Sequence, residues 1–164
     1  MVYIYTGPKW LGNMLIETNE ANKVFSVRFC NTQNLPKISS SHDIHAIIKQ
    51  FDEYFQGTRM KFSFPYTLQG TPFQKKVWEA LRDILHPLSY SRLAQHIGKP
   101  RAIRAVASAV ASNPLILVIP CHRVVRKDNR IGTYAIKTLE YKRGKTIKKK
   151  LLQHEEHSIQ RKAA

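Results

Sequence analysis

An α+β fold is predicted for this 164-residue chain. Three features predict it: strand-like alternation in the first third, helical periodicity beyond it, and Gly and Pro punctuation between the segments. Val2 to Thr6, Met14 to Glu17 and Val24 to Phe29 alternate as short strands, with turn-forming Gly7-Pro8 and Asn19 to Asn22 between them, so a small antiparallel sheet is expected. Ser41 to Phe55 then carries Ile44, Ile47, Ile48, Phe51 and Phe55 at the spacing of one helical face and is stopped by Gly57, which supplies a helix to pack on that sheet. Met60 to Leu68 reads as a further extended segment. Gln69-Gly70 marks a domain boundary, giving an N-terminal part over 1–70 and a C-terminal part over 71–164.

Thr71-Pro72-Phe73-Gln74 has the pattern of a capping box with proline at the first helical position, and Val77, Trp78, Leu81, Ile84 and Leu85 form the apolar stripe that follows. A helix over 72–85 is expected. Ser91 to Ile97, a turn at Gly98 and a second helix from Pro100 to about Ser112 read as a helix-turn-helix. On the second helix Ala102, Ala105, Val106, Ala109 and Val110 share one face for packing. Arg101, Arg104 and Ser108 fall on another, suited to a phosphate backbone, and Ser108 and Ala111 keep that face slim enough to approach a groove.

Hydrophobic residues make up 43% of the chain, enough for a globular core. No stretch approaches the ~20 apolar residues of a membrane span, and the N-terminus lacks a signal-peptide pattern. No membrane association is expected, and a cytoplasmic location is, or a nuclear one in a eukaryote. Cys30 and Cys121 are the only cysteines and lie far apart, which argues against a disulfide framework. The formal charge is +16, and it is unevenly placed: residues 1–70 hold 7 Lys and Arg against 5 acids, and 71–164 hold 20 against 6. A single-sign surface of that strength attracts a polyanion, so nucleic acid is the expected partner. Lys148-Lys149-Lys150, taken alone, would equally serve to solvate a terminal helix.

Ile119-Pro120-Cys121-His122-Arg123 sets a thiol, an imidazole and a guanidinium side by side after the apolar run Leu115 to Val118. A neighbouring base or cation raises the thiolate fraction that attacks electrophiles. On adjacency alone a small buried cysteine is the more common outcome, and the rest of the chain has to decide. No phosphate-cradling glycine loop or dinucleotide fingerprint is present, so no cofactor is indicated. Cys30, His42 and His45 match no structural-zinc spacing, and no metal site is expected.

The blocks Ser89-Tyr90-Ser91-Arg92-Leu93-Ala94, Pro100 to Val106, Asn113-Pro114 and Ile119 to Val125, in that order and spacing, resemble O6-alkylguanine-DNA alkyltransferases. The resemblance covers about 71 to 156, with the Pro-Cys-His-Arg block its most specific part. It implies an N-terminal α/β roll of ribonuclease H type and a winged helix-turn-helix-like second domain. It also implies single-turnover repair, in which an alkyl group passes from O6-alkylguanine, or O4-alkylthymine, in duplex DNA to the protein's own cysteine. On this reading Cys121 is the nucleophile, His122 its water-mediated base, Glu155 the orienting acid and Tyr90 the proton donor to the departing guanine. Arg104 fills the space of the flipped-out base while the helix lies in the minor groove. Arg101, Ser91, Ser108 and Arg123 contact DNA. Asn113, Val110, Val124, Tyr141 and Lys142 shape the pocket, Asn113 by bracing the turn before the active-site strand, and the carbonyls of Cys121 and Val124 accept from the base's exocyclic amine. A monomer without cofactor is implied.

Three departures from the family pattern stand out. Ile84 to Leu88 is a shorter approach to Tyr90, Ala107 replaces a common glycine, and Ala111 lacks a basic side chain found in some members. The loop over the pocket aligns in two registers, through Tyr141-Lys142-Arg143-Gly144 or through Tyr134-Ala135. The first keeps the spacing to Glu155 without gaps and is preferred; either gives a longer loop. A DNA-binding regulator or alkylation sensor and a cysteine hydrolase are the competing functional classes. The regulator predicts a preferred DNA sequence and the hydrolase predicts repeated turnover.

Overall fold

The computed structural model describes residues 1–30, 37, 39, 44–127, 131 and 141–163. Its architecture is the mixed α+β one that the periodicities predict. Three strands, β1 (Val2–Thr6), β2 (Asn13–Thr18) and β3 (Val24–Phe29), form an antiparallel meander in the order β1-β2-β3. Tyr3 pairs with Ile16 and Met14 with Phe29, and the register slips at a bulge between Glu17 and Thr18. Tyr3, Tyr5, Met14, Ile16, Val24, Val27 and Phe29 are buried on one face, which is why this register holds: a one-residue slip would turn them off the core face.

Helix α1 (His45–Phe55) buries Ile47, Phe51 and Tyr54 at helical spacing. Phe51 lies 5.2 Å from the ring of Tyr5 and 4.8 Å from that of Phe62, so an aromatic layer joins the helix, the sheet and the segment that follows. That segment, expected to be extended over 60–68, is irregular. Val24 makes a single bridge to Tyr66, and Phe62 and Phe64 act as core plugs instead of ladder residues.

Helix α2 (Pro72–Arg82) has the predicted capping box in full, with Thr71 accepting from the Gln74 amide and the Gln74 side chain accepting from the Thr71 amide. It ends three residues earlier than expected. The Ile84 carbonyl is drawn to the Arg123 guanidinium, and Leu85 stands exposed. A two-residue strand β4 (Leu88–Ser89) leads into α3 (Tyr90–His96) and then α4 (Ile103–Ala111). Between these helices Gly98 sits at φ 71°, its amide bonding Gln95 and that of Lys99 bonding Ala94. This is a Schellman cap, which needs a left-handed residue at that position. Pro100 and Arg101 lie in the turn, so α4 starts later than predicted. Its buried face is Val106, Ala109 and Val110, while Ala105, expected to pack, is exposed. Trp78 of α2 donates its indole N–H to the Ala109 carbonyl at 2.7 Å and locks the two helices together.

The apolar run Leu115 to Val118 is fully buried but is no continuous strand. Leu115 bridges to Val27, and the chain then doubles back through Leu117 at φ 69°, with the Ile119 amide returning to Leu115. A 3-10 turn over Cys121–Arg123 and strand β5 (Val124–Val125) follow. β5 pairs in parallel with β4, Leu88 against Val124 and Ser89 against Val125. The long helix α5 (Tyr141–Ala163) closes the molecule. Its buried stripe is Gly144, Ile147, Lys148, Leu151, Glu155 and Ser158, at the three-and-four spacing of one helical face, with charged groups inside it.

Because Gly98 has open space around its missing Cβ, Gly98→Ala isolates the backbone cost of a left-handed residue. The substitution should lower the unfolding free energy by about 1–2 kcal/mol in urea titrations, with the slope of the transition unchanged.

Candidate active site

The short parallel pairing of β4 with β5 sets the start of α3 beside the turn that carries Cys121. The backbone of that turn is held by the Cys121 amide bonding Ile119 and the Arg123 amide bonding Pro120. Asn113 braces it from below: its amide nitrogen donates to the Ile119 carbonyl at 2.8 Å and to Cys121 Sγ at 2.9 Å, and its oxygen accepts from the Leu115 amide. One side chain therefore ties the backbone before the thiol and also gives the sulfur a donor. Cys121 itself is 4% exposed.

His122, next along the turn, is buried with Nε2 2.8 Å from Glu155 Oε1. Glu155 arrives from the buried stripe of α5. Arg123, also buried, forks onto the same carboxylate, Nε to Oε2 and Nη2 to Oε1, both at 2.9 Å, while Nη1 reaches Ile84 and Nη2 lies 3.4 Å from the Met60 carbonyl. The Tyr54 hydroxyl of α1 adds another donor to Oε1, at 2.8 Å. From the face of the thiol, Lys148 Nζ donates to the Val124 carbonyl at 2.6 Å.

These contacts set the charge states. Burial alone would raise the Glu155 pKa, but His122 and the permanently charged Arg123 fork outweigh it and hold the carboxyl well below the usual carboxylate range. Burial lowers the His122 pKa; Glu155 opposes this, and Arg123 and Lys148 add to it, so the ring is neutral near pH 7. A neutral ring that donates Nε2–H to a carboxylate has its lone pair on Nδ1, which makes Nδ1 the basic nitrogen. Burial also lowers Lys148, to about 8, against the pull of Cys121. Tyr90 is raised by burial first and by Cys121 second, which keeps its phenol protonated beside the thiol.

The predicted residues sort into three sets. Cys121, His122, Glu155, Asn113, Val110 and Val124 are buried or half-buried around the turn, with Tyr90 half-buried at the start of α3. Arg101, Arg104 and Ser108 are exposed at or on α4, and Ser91 is half-buried with its hydroxyl 2.9 Å from that of Ser89. Arg123 departs from expectation. Read as a DNA contact, it is 1% exposed and turned inward to neutralise Glu155, because an ionised carboxylate in the core needs a paired cation. The Val124 carbonyl, expected to receive the base's amine, already accepts from Lys148 and has one lone pair left for a second donor. The side chains of Tyr141 and Lys142, the alternative pair Tyr134-Ala135 and His42 lie outside the described residues.

Sequence reading missed two side chains, Tyr54 and Lys148. Lys148 had a detectable signal, since it falls in register with Ile147, Leu151 and Glu155 on one face of α5. Tyr54 had none, because its partner is 101 residues away.

The fold thus gathers one buried thiol, a neutral histidine anchored by a carboxylate, and a lysine close by. The DNA-binding domain model of 6-O-methylguanine DNA methyltransferase matches residues 72–157. The chain is 44% identical over 96 residues to the constitutive methylated-DNA–protein-cysteine methyltransferase of Bacillus subtilis, a match covering 57% of this chain and 58% of that protein. It is 40% identical over 113 residues to a methylated-DNA–protein-cysteine methyltransferase of Methanosarcina barkeri, covering 68% of this chain and 67% of that one. Its fold is similar to that of the Mycobacterium tuberculosis OGT crystallised in complex with DNA, with TM-score 0.79 at 26% identity over 96% of this chain and 93% of that chain. The chain belongs to the 6-O-methylguanine DNA methyltransferase family.

Two measurements test the site's electrostatics. Arg123→Met should cost about 3–5 kcal/mol of unfolding free energy, since it strands a buried carboxylate; an arginine serving only as a surface phosphate contact would cost about 0.5 kcal/mol or less. Acid should also destabilise the fold in two steps. His122 and Glu155 both have folded pKa values below their unfolded ones, so the unfolded chain binds more protons. Stability is full at neutral pH, falls below about pH 6.5 through His122, and falls again below about 4.3 through Glu155. In unfolding titrations across that range, Glu155→Gln should lose the lower step.

Proposed function

We propose that this protein repairs O6-alkylguanine, and O4-alkylthymine, in duplex DNA by taking the alkyl group irreversibly onto Cys121. The observation that carries the reading is the Cys121 sulfur, held by Asn113 at 2.9 Å and backed by the His122–Glu155 pair at 2.8 Å, within a chain of this family. The thiol proton leaves toward His122 Nδ1, through a water, while the Asn113 amide and the Lys148 ammonium favour the negative sulfur. The sulfur attacks the alkyl carbon, a carbon–sulfur bond forms as the carbon–O6 bond breaks, and the electron pair stays on the guanine. The protonated Tyr90 phenol supplies the proton that restores neutral guanine. Among the described residues no group beside the sulfur can cleave the thioether, so each molecule reacts once.

A cysteine only 4% exposed cannot reach a base inside the stack, so the damaged nucleotide must be turned out of the helix. Arg104, exposed on the second helix of the pair, suits the space the base vacates, with Arg101, Ser91 and Ser108 along the backbone. The Gly98 turn between α3 and α4 supports a helix-turn-helix, with the β4–β5 pair as its wing, lying in the minor groove. That groove carries little sequence information, which fits damage occurring anywhere. Residues 1–70, with a three-stranded meander and one helix, fit a ribonuclease H-like roll, and 71–164 the DNA-binding and acceptor part. Val110 and Val124 would line the base pocket together with Tyr141 and Lys142. The protein would act as a cytoplasmic monomer, or a nuclear one in a eukaryote.

The test is intact-protein mass after incubation with an O6-methylguanine duplex. The protein should gain one methyl in place of one hydrogen, in a stoichiometric burst without turnover, and Cys121→Ser should gain nothing. An unchanged mass in folded wild-type protein would refute the reading.

A further inference from the structure

Glu155 Oε1 accepts three donors. Two come from the turn next to the thiol, His122 Nε2 at 2.8 Å and Arg123 Nη2 at 2.9 Å. The third is the Tyr54 hydroxyl at 2.8 Å, on helix α1, from the part of the chain that otherwise looks like mere support. Tyr54 is 1% exposed, and its ring packs among Phe55, Phe62 and His154. Phenylalanine would fill that space equally well. A phenol hydroxyl placed there would cost free energy unless bonded, and its partner is the carboxylate. Burial, then the charge and hydrogen bond of Glu155, raise the Tyr54 pKa far above its ordinary value, so the hydroxyl remains a donor at all working pH. The same residue is fixed at its backbone, where its carbonyl lies 2.8 Å from His154 Nε2, one residue from Glu155 on α5.

We propose that Tyr54 is a positioning residue of the alkyl-transfer site: its hydroxyl holds the Glu155 oxygen that orients His122, which makes helix α1 a working part of the thiol-activating relay. The proposal rests on the function proposed above. The Arg123 fork fixes the carboxylate plane but leaves Oε1 to settle between the guanidinium and the imidazole. A third donor from an independent element holds that oxygen on the His122 axis, and preorganisation of this kind acts on rate. It also draws charge from Oε1 and so limits how strongly the carboxylate pulls on Nε2–H. Among the described residues, the charged and titratable groups acting on the pair are Arg123 from the turn, Lys148 from α5 and Tyr54 from α1, with His154 packed against Tyr54.

Tyr54→Phe keeps the ring and removes only the donor. Tyr5→Phe is the control, since the Tyr5 hydroxyl bonds Asp52 at 3.0 Å in the same aromatic layer and touches no site residue. Single-turnover methyl transfer from an O6-methylguanine duplex would be followed by intact mass across pH. Tyr54→Phe should react about five- to tenfold more slowly at neutral pH, the scale of one lost hydrogen bond. Its acid limb should move to higher pH, because His122 becomes more basic. Tyr5→Phe should match wild type in both respects. Wild-type rate and limb in Tyr54→Phe, or equal slowing in Tyr5→Phe, would overturn the proposal. The pH at which the His122 ring protonates, read by NMR in wild type and Tyr54→Phe, is a second readout that needs no alkyl transfer. An unchanged value overturns the proposal even if wild type fails to take up methyl, a failure that would count against the function itself.

Discussion

A buried carboxylate cannot stay ionised unless its surroundings replace the water it has lost, and in this molecule Glu155 draws that replacement from several separate elements. Arg123 supplies the charge, His122 and Tyr54 supply further donors, and Arg123 in turn takes the carbonyls of Ile84 and Met60. The residues after α2, the loop before Phe62, helix α1, the 3-10 turn and α5 therefore all meet at the Glu155–Arg123 pair. Desolvating such an ion costs several kcal/mol, which only a complete set of partners offsets. The turn bearing Cys121 cannot shift without breaking that set, and this rigidity suits the nucleophile role proposed for that cysteine.

Neutralising Glu155 with Arg123 has a second effect. The pair cancels, and the thiol is left with Lys148 and the Asn113 amide, a cation and a dipole that both favour a negative sulfur. Basic residues thus do two separate jobs in this chain. Arg123 and Lys148 are interior groups that set the state of a carboxylate and a sulfur. Arg101 and Arg104 stay at the surface around α4, where the C-terminal excess of positive charge can meet a polyanion. Net charge alone could not have divided these roles.

Local features were the legible ones. The capping box of Thr71 and Gln74, the Gly98 turn, the alternation of the first three strands and the adjacency of Cys121 with His122 all act within a few residues, so their physics is written in neighbouring letters. Glu155 could be picked out only through the family resemblance. Arg123 was misread because an arginine beside a reactive cysteine looks like a surface charge until its partner, 32 residues on, is seen. Tyr54 was invisible for the same reason on a larger scale. Leu115 to Val118 shows a different limit: an apolar run reads the same for a buried strand and for a doubled-back turn, and the left-handed Leu117 has no sequence signature.

Nitrogen NMR of the His122 ring in the free protein at neutral pH tests the central claim most directly, because it reads how Glu155 commits that ring. The geometry predicts a neutral imidazole with the proton on Nε2 and a pyridine-like Nδ1, protonating only below the pH at which an exposed histidine titrates. A proton on Nδ1, or an ordinary titration shared with solvent, would contradict it.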